Sequence, residues 1–403
     1  MSGELPLEGI RVVDLTMWIQ GPVAAQILAD LGAEVLKVER PGVGDHARGL
    51  GYAYGRPCFL PDGRNIVYET ANRNKKSVAI DLSHPRGREA FYRLVKKADL
   101  MVTNLSPEAL RSVGADEASI HRENPEIIYV QGSGFGPRGP YADDACQDTV
   151  GMARSGFMFA LARPGGEPSY PAGAMSDVMT GTMLGFGALA ALMARERTGR
   201  APRVVYASQV SSMMWLAMYH VALYANLGLE YEPSQRSEAA NPLMSIYRCA
   251  DGKWFASGLW MGQRFWHDFC QVTGLQHLEH DPRFNSDAAR AANRQELVAI
   301  LDEVFASQPR EEWERRYREK GLLFAPVNRY SELPDDPQVV ANEYIVTLDT
   351  GYKMPALPFA MEGFPPPRHG APAHGQHTDE VLQEVCGYTL EEVLALKAEG
   401  AVW

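Results

Sequence analysis

The sequence predicts an α/β fold built on a parallel sheet with helices on both faces, in a chain long enough for two domains. Three observations carry that prediction. Short β-branched runs alternate with helically periodic segments through the N-terminal third, the last of them runs into a glycine-rich turn, and 403 residues exceed what one ordinary core organises. Ile10–Leu15 is the first strand candidate, Val23–Leu31 has helical spacing, and Glu34–Val38 is a second strand. Val78–Asp81 reads as a third, and Arg86–Ala98 places Ala90, Phe91, Leu94, Val95 and Ala98 on one helical face. Leu100–Thr103 and Ile127–Gln131 complete the series, the latter ending in the turn Gly132–Gly139. Ligands of such sheets bind at the carboxyl ends of the strands.

Further along, Met175–Arg195 is a strong helix, with Ser176 and Asp177 suited to its N-cap and Arg195 and Arg197 at its end. Ser211–Leu227 reads as a second apolar helix closed by Gly228, and the polar stretch Glu230–Asn241 as a linker. Tyr247–Gly258 alternates like a strand pair about Ala250-Asp251-Gly252. Helical segments follow through Gly321, Pro355–Pro372 is a second extended linker, and Thr378–Glu399 is helical.

Composition narrows the function classes. A formal net charge of −11 repels nucleic acid and anionic lipid, so neither is an expected partner, and an anionic ligand needs a local basic cluster. Residues Met1–Arg11 lack a secretory pattern, and the longest apolar run, Met183–Ala194, is too short to cross a bilayer. The five cysteines (Cys58, Cys146, Cys249, Cys270, Cys386) are scattered, which suits reduced thiols in the cytoplasm and no zinc site. The histidines form no HxxxH or HExxH, and neither a GxSxG elbow nor a P-loop is present.

Four groups of residues could carry chemistry. Val12-Val13-Asp14-Leu15-Thr16 with Gly21-Pro22, followed by Glu39 at a strand end, has the outline of a dinucleotide site. It lacks the GxGxxG fingerprint, so a structural turn without nicotinamide is expected. Lys37, Arg40, Arg48, Arg73, Lys75, Lys76, Arg111 and Arg138 fall at predicted strand ends and loops. Singly they read as solvated surface, and together they could hold a polyphosphate. Asp177 reads locally as an N-cap, yet a carboxylate at a helix start stays ionised and beside a thioester could act as a nucleophile. Gly258-Leu259-Trp260-Met261-Gly262-Gln263 is a turn on composition and a mobile flap on its glycines.

Taken together, the motifs resemble a known family. Gly9-Ile10-Arg11-Val12-Val13-Asp14-Leu15-Thr16, Gly21-Pro22 and Leu31–Glu39 are similar to the opening of family III CoA-transferases, a group that includes formyl-CoA and carnitine CoA-transferases and α-methylacyl-CoA racemase. The likeness continues through Asn74-Lys75-Lys76-Ser77, Asn104 with Pro107, Gly134-Phe135-Gly136, Gly139-Pro140-Tyr141, and Asp177 with Gly181. It reaches Ala325-Pro326-Val327-Asn328, Asp336-Pro337-Gln338 and His377–Leu382, and so spans nearly the whole chain.

The resemblance implies a Rossmann-like large domain from both chain ends (residues 1–205 and 355–403), a small domain (235–330) and two linkers (206–234 and 331–354), with two subunits interlocked. It implies transfer of coenzyme A from an acyl-CoA donor to a small carboxylic acid, with Asp177 as nucleophile and neither metal nor nicotinamide. CoA is expected near Arg40, Lys75, Asn104, Arg111 and Arg138. Arg111 stands one position short of the family's basic residue. Ile19 occupies the place of an active-site glutamine, with Gln20 adjacent, and Gly258 and Gly262 bound the counterpart of a glycine flap. At Cys146-Gln147-Asp148, racemases of the group carry a histidine next to the aspartate, where Gln147 stands here, and an amide cannot shuttle a proton, so transfer is preferred over racemisation. An acyl-CoA racemase or isomerase, and a silent CoA-binding subunit paired with a paralogue, are the alternatives to a homodimeric transferase.

Overall fold

The structure, a computed structural model, describes residues 5–403. Six strands form one sheet: β1 (Arg11–Leu15), β2 (Glu34–Glu39), β3 (Lys76–Ala79), β4 (Leu100–Thr103), β5 (Ile128–Ser133) and β6 (Val204–Ser208). They run in the order β3-β2-β1-β4-β5-β6, and every neighbouring pair is parallel. The chain reverses its direction of travel between β1 and β4. The loops leaving those two strands therefore part, and open a crevice at their carboxyl ends.

Alternation along β1 explains the layering. Val13 and Leu15 pack with Phe91, Leu94 and Leu396 on one face, while Val12 packs with Leu28, Leu184 and Ala188 on the other. The second face is covered by α1 (Gln20–Asp30) and by α3 (Met175–Thr198); α2 (Asp148–Arg154) and α4 (Gln209–Leu216) flank the start of α3. Glycines set how closely α1 and α3 approach. A Cβ on Gly181 would stand 2.5 Å from the Gln20 carbonyl oxygen, and one on Gly185 would stand 3.3 Å from Ile27. Helix α3 is long and apolar enough to cross a membrane by length and composition, but Leu184, Ala188 and Leu192 are buried within this layer.

The chain divides into two compact units. The first takes the chain up to Leu161 together with Tyr170–Tyr231 and Glu343–Trp403, and the second takes Ala162–Ser169 and Glu232–Asn342. In the second, the antiparallel strands β7 (Met244–Arg248), β8 (Trp254–Gly258) and β9 (Phe324–Val327) enclose an aromatic core of Tyr247, Phe255, Phe305, Trp313 and Tyr317. Residues 206–234, expected as a linker, instead hold most of β6, α4 and the helix Met218–Leu227. The single helix expected over Ser211–Leu227 is broken at Ala217, which leaves helical geometry. Residues 331–354, expected as the other linker, include the helix Pro337–Ala341 and a short hairpin, Ile345–Thr347 with Lys353–Pro355.

The far end of the chain is sewn to the sheet edge. Val402 bridges Ile80, Trp403 N–H donates to the Ala79 carbonyl at 3.1 Å, and Ala79 N–H donates to Thr378 Oγ1 at 3.0 Å.

Candidate active site

The loop leaving β1 is held residue by residue. Lys37 Nζ donates to the Thr16 carbonyl at 2.9 Å, Met17 N–H to Asn104 Oδ1 at 3.0 Å, and Trp18 N–H to Asp45 Oδ1 at 3.0 Å. Asn104 Nδ2 returns a bond to the Met17 carbonyl at 2.9 Å, so the amide at the end of β4 clamps the loop at the end of β1. This support keeps Trp18 in a left-handed conformation (φ 67°), which a non-glycine residue rarely adopts. Helix α1 then starts without a side-chain cap, leaving its first-turn N–H groups without intrahelical partners.

Beneath the loop lies a buried network of charges that balances to neutrality. Lys75 Nζ donates to Asp14 Oδ2 at 2.8 Å, to Asn72 Oδ1 at 2.8 Å and to the Pro22 carbonyl at 2.9 Å. Lys37 pairs with Asp45 at 2.9 Å, and Arg48 with Glu39 at 2.8 Å. Burial alone would raise Glu39, but Arg48 and Lys37 outweigh it and hold the carboxyl at about 2. Glu39 is thus committed to Arg48, Ser77 and the Asp45 main chain.

Helix α3 begins differently from its sequence-based reading. Its N-cap is Ala174, in a left-handed conformation (φ 54°), and Asp177 lies inside the first turn rather than capping it. The cap comes from α2: Asp148 Oδ1 accepts from Ser176 N–H (2.7 Å), Ser176 Oγ (2.7 Å) and Asp177 N–H (3.1 Å). Tyr170 donates to Asp148 Oδ2 at 2.9 Å, and Ala174 N–H donates to the Tyr54 hydroxyl at 3.2 Å. The carboxyl group of Asp177 is thereby left to face a cleft. It accepts one bond, from Gln209 Nε2 to Oδ1 at 2.5 Å. Burial first, and then the nearby Asp148 carboxylate, push Asp177 up to about 6 against that hydrogen bond.

The cleft has a volume of 1220 Å³ and lies within the first unit, lined among others by Met17, Ile19, Tyr54, Asn104, Arg111 and Asp177. It contains the β1/β4 crevice and the start of α3, so the strand-end and helix-start features meet in one place. Gln20 lines it too, but its Nε2 is tied to the Ser133 carbonyl at 3.0 Å. Gln147 is exposed at the cleft wall.

The basic residues separate on inspection. Lys75 does not reach the cleft surface: its ammonium is fully buried and its three donors are used, so it holds the fold rather than a ligand. Lys37, Arg48, Arg73 and Lys76 are likewise spent on Asp45, Glu39, Asp30 and Glu34. The expected cluster thus reduces to Arg111, exposed on the cleft wall, with Arg40 and Arg138 exposed outside the lining. Arg56, on the hairpin beside Tyr54, also lines the cleft and had no signal in the sequence. Gly258 and Gly262 belong to the second unit, where Gly258 ends β8 and Gly262 opens the helix Gly262–Thr273. Between them Leu259 is fully buried, and a Cβ on Gly262 would strike Asp287 Oδ1 at 2.6 Å. The stretch is an anchored connection with one exposed ring, Trp260, and neither glycine needs a positive φ.

Sequence reasoning passed over Gln209, and it met Asp148 only as the neighbour of Gln147, without its role at the start of α3. Only a signal for the placement of Gln209 existed, in Ser208, which caps α4 through a reciprocal bond with Ser211 directly after a strand.

Comparison with known proteins follows the same outline. The family model described as CoA-transferase family III matches residues 7–378. Among curated proteins, the (R)-2-hydroxy-4-methylpentanoate CoA-transferase of Clostridioides difficile is 32% identical, covering 96% of this chain and 97% of that protein. The succinyl-CoA:glutarate CoA-transferase of Homo sapiens is 31% identical, covering 100% of this chain and 91% of its own. Among solved structures, a CAIB/BAIF family protein from Brucella suis superposes with a TM-score of 0.84 at 27% identity, over 95% of this chain and 100% of that one.

Proposed function

The chain belongs to CoA-transferase family III, and from that premise we propose that it moves coenzyme A from an acyl-CoA donor to a carboxylic acid through intermediates carried on Asp177. The observation that supports this reading best is the Asp177 carboxyl, half-buried, facing a cleft large enough for a CoA thioester and bonded on one oxygen alone. Its carboxylate attacks the donor thioester to give a mixed anhydride and CoA thiolate. The thiolate takes the aspartyl carbon, and the acceptor acid reverses the sequence. Each bond formed is as activated as the one broken, so no external energy source is needed. Gly181, one turn beyond Asp177 on α3, abuts the Gln20 carbonyl at the start of α1, and this close approach supports a role at the site for the first-turn N–H groups of α1. They supply donors for charge developing on the thioester oxygen.

Arg111 at the mouth of the β1/β4 crevice suits a CoA phosphate, with Arg40 and Arg138 as outlying contacts, while Asn104 acts by shaping the loop. Exposed apolar side chains on α4 and the helix after it, Trp215, Tyr219 and Leu227, support association of two copies of the chain. Five free thiols suit the cytoplasm as the site of action. The acceptor is a small acid of the kinds that the relatives' names describe, a dicarboxylate or a branched 2-hydroxy acid. An exposed Gln147 at the wall offers no second base, which disfavours racemisation.

The test is a transfer assay with succinyl-CoA against glutarate and (R)-2-hydroxy-4-methylpentanoate, coupled to trapping. Hydroxylamine added during turnover is expected to convert Asp177 to a hydroxamate, visible by mass in the peptide containing Met175–Asp177. Transfer without any hydroxamate there would refute the covalent route. The pH profile offers an independent check. A carboxyl at about 6 must lose its proton to attack, so kcat/KM should fall about tenfold per unit below that pH and level off above it. An acid limb near 4 would show that the folded site does not hold Asp177 up.

A further inference from the structure

Beside the Asp177 carboxyl, three of the helix-start donors are spent elsewhere: Ala174 N–H on Tyr54, and Ser176 and Asp177 N–H on Asp148. Among the described residues, the hydrogen bond that the carboxyl accepts comes from one buried amide. Gln209 is 3% exposed, its Nε2 donates to Asp177 Oδ1 at 2.5 Å, and its Oε1 accepts from Cys146 Sγ at 2.9 Å. The two partners fix the amide's orientation, since a carboxylate only accepts and a protonated thiol donates. Burial, followed by the Asp177 charge, pushes Cys146 up to about 11 and keeps that thiol protonated. Gly151 of α2 walls the amide in: a Cβ there would stand 2.4 Å from Gln209 Cβ and 2.7 Å from its Oε1.

We infer that Gln209 dictates which Asp177 oxygen reacts and is the oxyanion donor for both displacements at the aspartyl carbon, so that Oδ1 stays in the enzyme through every turnover while Oδ2 exchanges. The inference rests on the transferase reading above. Oδ2, which has no protein partner among the described residues, attacks the donor acyl carbon and CoA leaves as thiolate. The resulting anhydride is bridged by Oδ2 and keeps Oδ1 as its aspartyl carbonyl oxygen. The thiolate adds to Cγ, charge moves onto Oδ1 against Gln209 Nε2, and collapse expels the donor carboxylate, which carries Oδ2 away. The acceptor carboxylate then adds to Cγ of the thioester, charge returns to Oδ1, and thiolate departs. That thiolate takes the acceptor's acyl carbon and releases Asp177 with an acceptor oxygen in the vacated position. No proton is needed at any step.

The test uses the full chain and the faster donor–acceptor pair of the transfer assay, with both carboxyl oxygens of the acceptor as ¹⁸O. After many turnovers the wild-type Asp177 peptide should carry a single ¹⁸O, because the pinned oxygen never enters the exchanging position. Gln209→Met, of similar shape but without a donor, should lower kcat by about 10²-fold with little change in CoA binding, and should let the carboxyl rotate so that two ¹⁸O accumulate. Cys146→Ala, which frees the amide to flip, should give partial double labelling at intermediate rate, and serves if Gln209→Met does not fold. Double labelling of the wild type, or a Gln209→Met enzyme with wild-type rate and single label, would overturn the inference. Released donor acid reads the underlying mechanism separately: after the first turnover it should contain one ¹⁸O. If transfer occurs without that label, or no pair is turned over, the transferase route through Asp177 fails and the inference with it.

Discussion

Asp177→Asn is expected to cut turnover by about 10⁴-fold or more and, at pH 7, to make the protein more stable. The loss follows because an amide has no anionic oxygen to offer a thioester. The gain follows from the carboxyl's surroundings. Burial and Asp148 raise Asp177 to about 6 in the folded chain, above the ordinary carboxylate value it has when unfolded. A carboxyl raised on folding favours the folded state only while protonated. Stability falls as pH rises from about 4 to about 6, and above that the full penalty applies. Asparagine removes the charge, keeps a carbonyl for Gln209 Nε2 and leaves the main-chain bond to Asp148 intact. After allowance for solvent screening the gain should be about 1 kcal/mol, or roughly 1 °C, and should vanish below about pH 4. Thermal melts across pH with matched activity assays check both halves. A simple capping role would instead give an active asparagine enzyme of unchanged stability.

Lys75→Met should destabilise the fold by about 3 kcal/mol, roughly 4 °C in melting temperature, with CoA affinity preserved in the folded fraction. Burial pulls the Lys75 ammonium down to about 8 even with Asp14 beside it, and removal leaves the fully buried Asp14 with Thr16 and the nearby Lys37. That residual company places the cost at the lower end for breaking a buried pair. The double substitution Lys75→Met with Asp14→Asn should recover most of it. Arg111→Ala, exposed on the cleft wall, should behave oppositely, with an unchanged melt and weaker CoA binding that salt reduces further in the wild type. Loss of CoA affinity in stably folded Lys75→Met would reverse the assignment of the two residues.

These two positions show where sequence is informative and where it is not. The sheet was legible because its central strands are buried on both faces, so Val12, Val13 and Leu15 in one and Leu100–Val102 in the other leave near-continuous apolar runs, interrupted in the first by Asp14. Helix α3 and its acidic residue were legible too, and resemblance rather than periodicity singled out Asp177. The basic residues were misread because a lysine in a motif does not say whether its ammonium faces solvent or three buried acceptors. That depends on Asn72, at the end of the helix just before it, and on Asp14, which lies in the strand two places along the sheet. The contacts that Asp148 and Gln209 make at Asp177 were invisible for a related reason. Each acts on the start of α3 from another helix, 29 and 32 positions away from Asp177, and neither belongs to a local pattern. The break at Ala217 had no proline or glycine to announce it.

The stitching at the sheet edge has a consequence in time. Thr378 meets Ala79 across 299 residues of chain, and Ala401–Trp403 join Ala79–Asp81 across a longer gap still. During synthesis β3 emerges early and waits, with its outer edge unpaired, while the whole second unit is made. An exposed parallel edge of this kind invites pairing with other nascent chains, so yield in the cell should depend on how that interval is bridged. Slower elongation through 232–342 would lengthen the vulnerable period, and a chaperone that shields strand edges would protect the protein most during it.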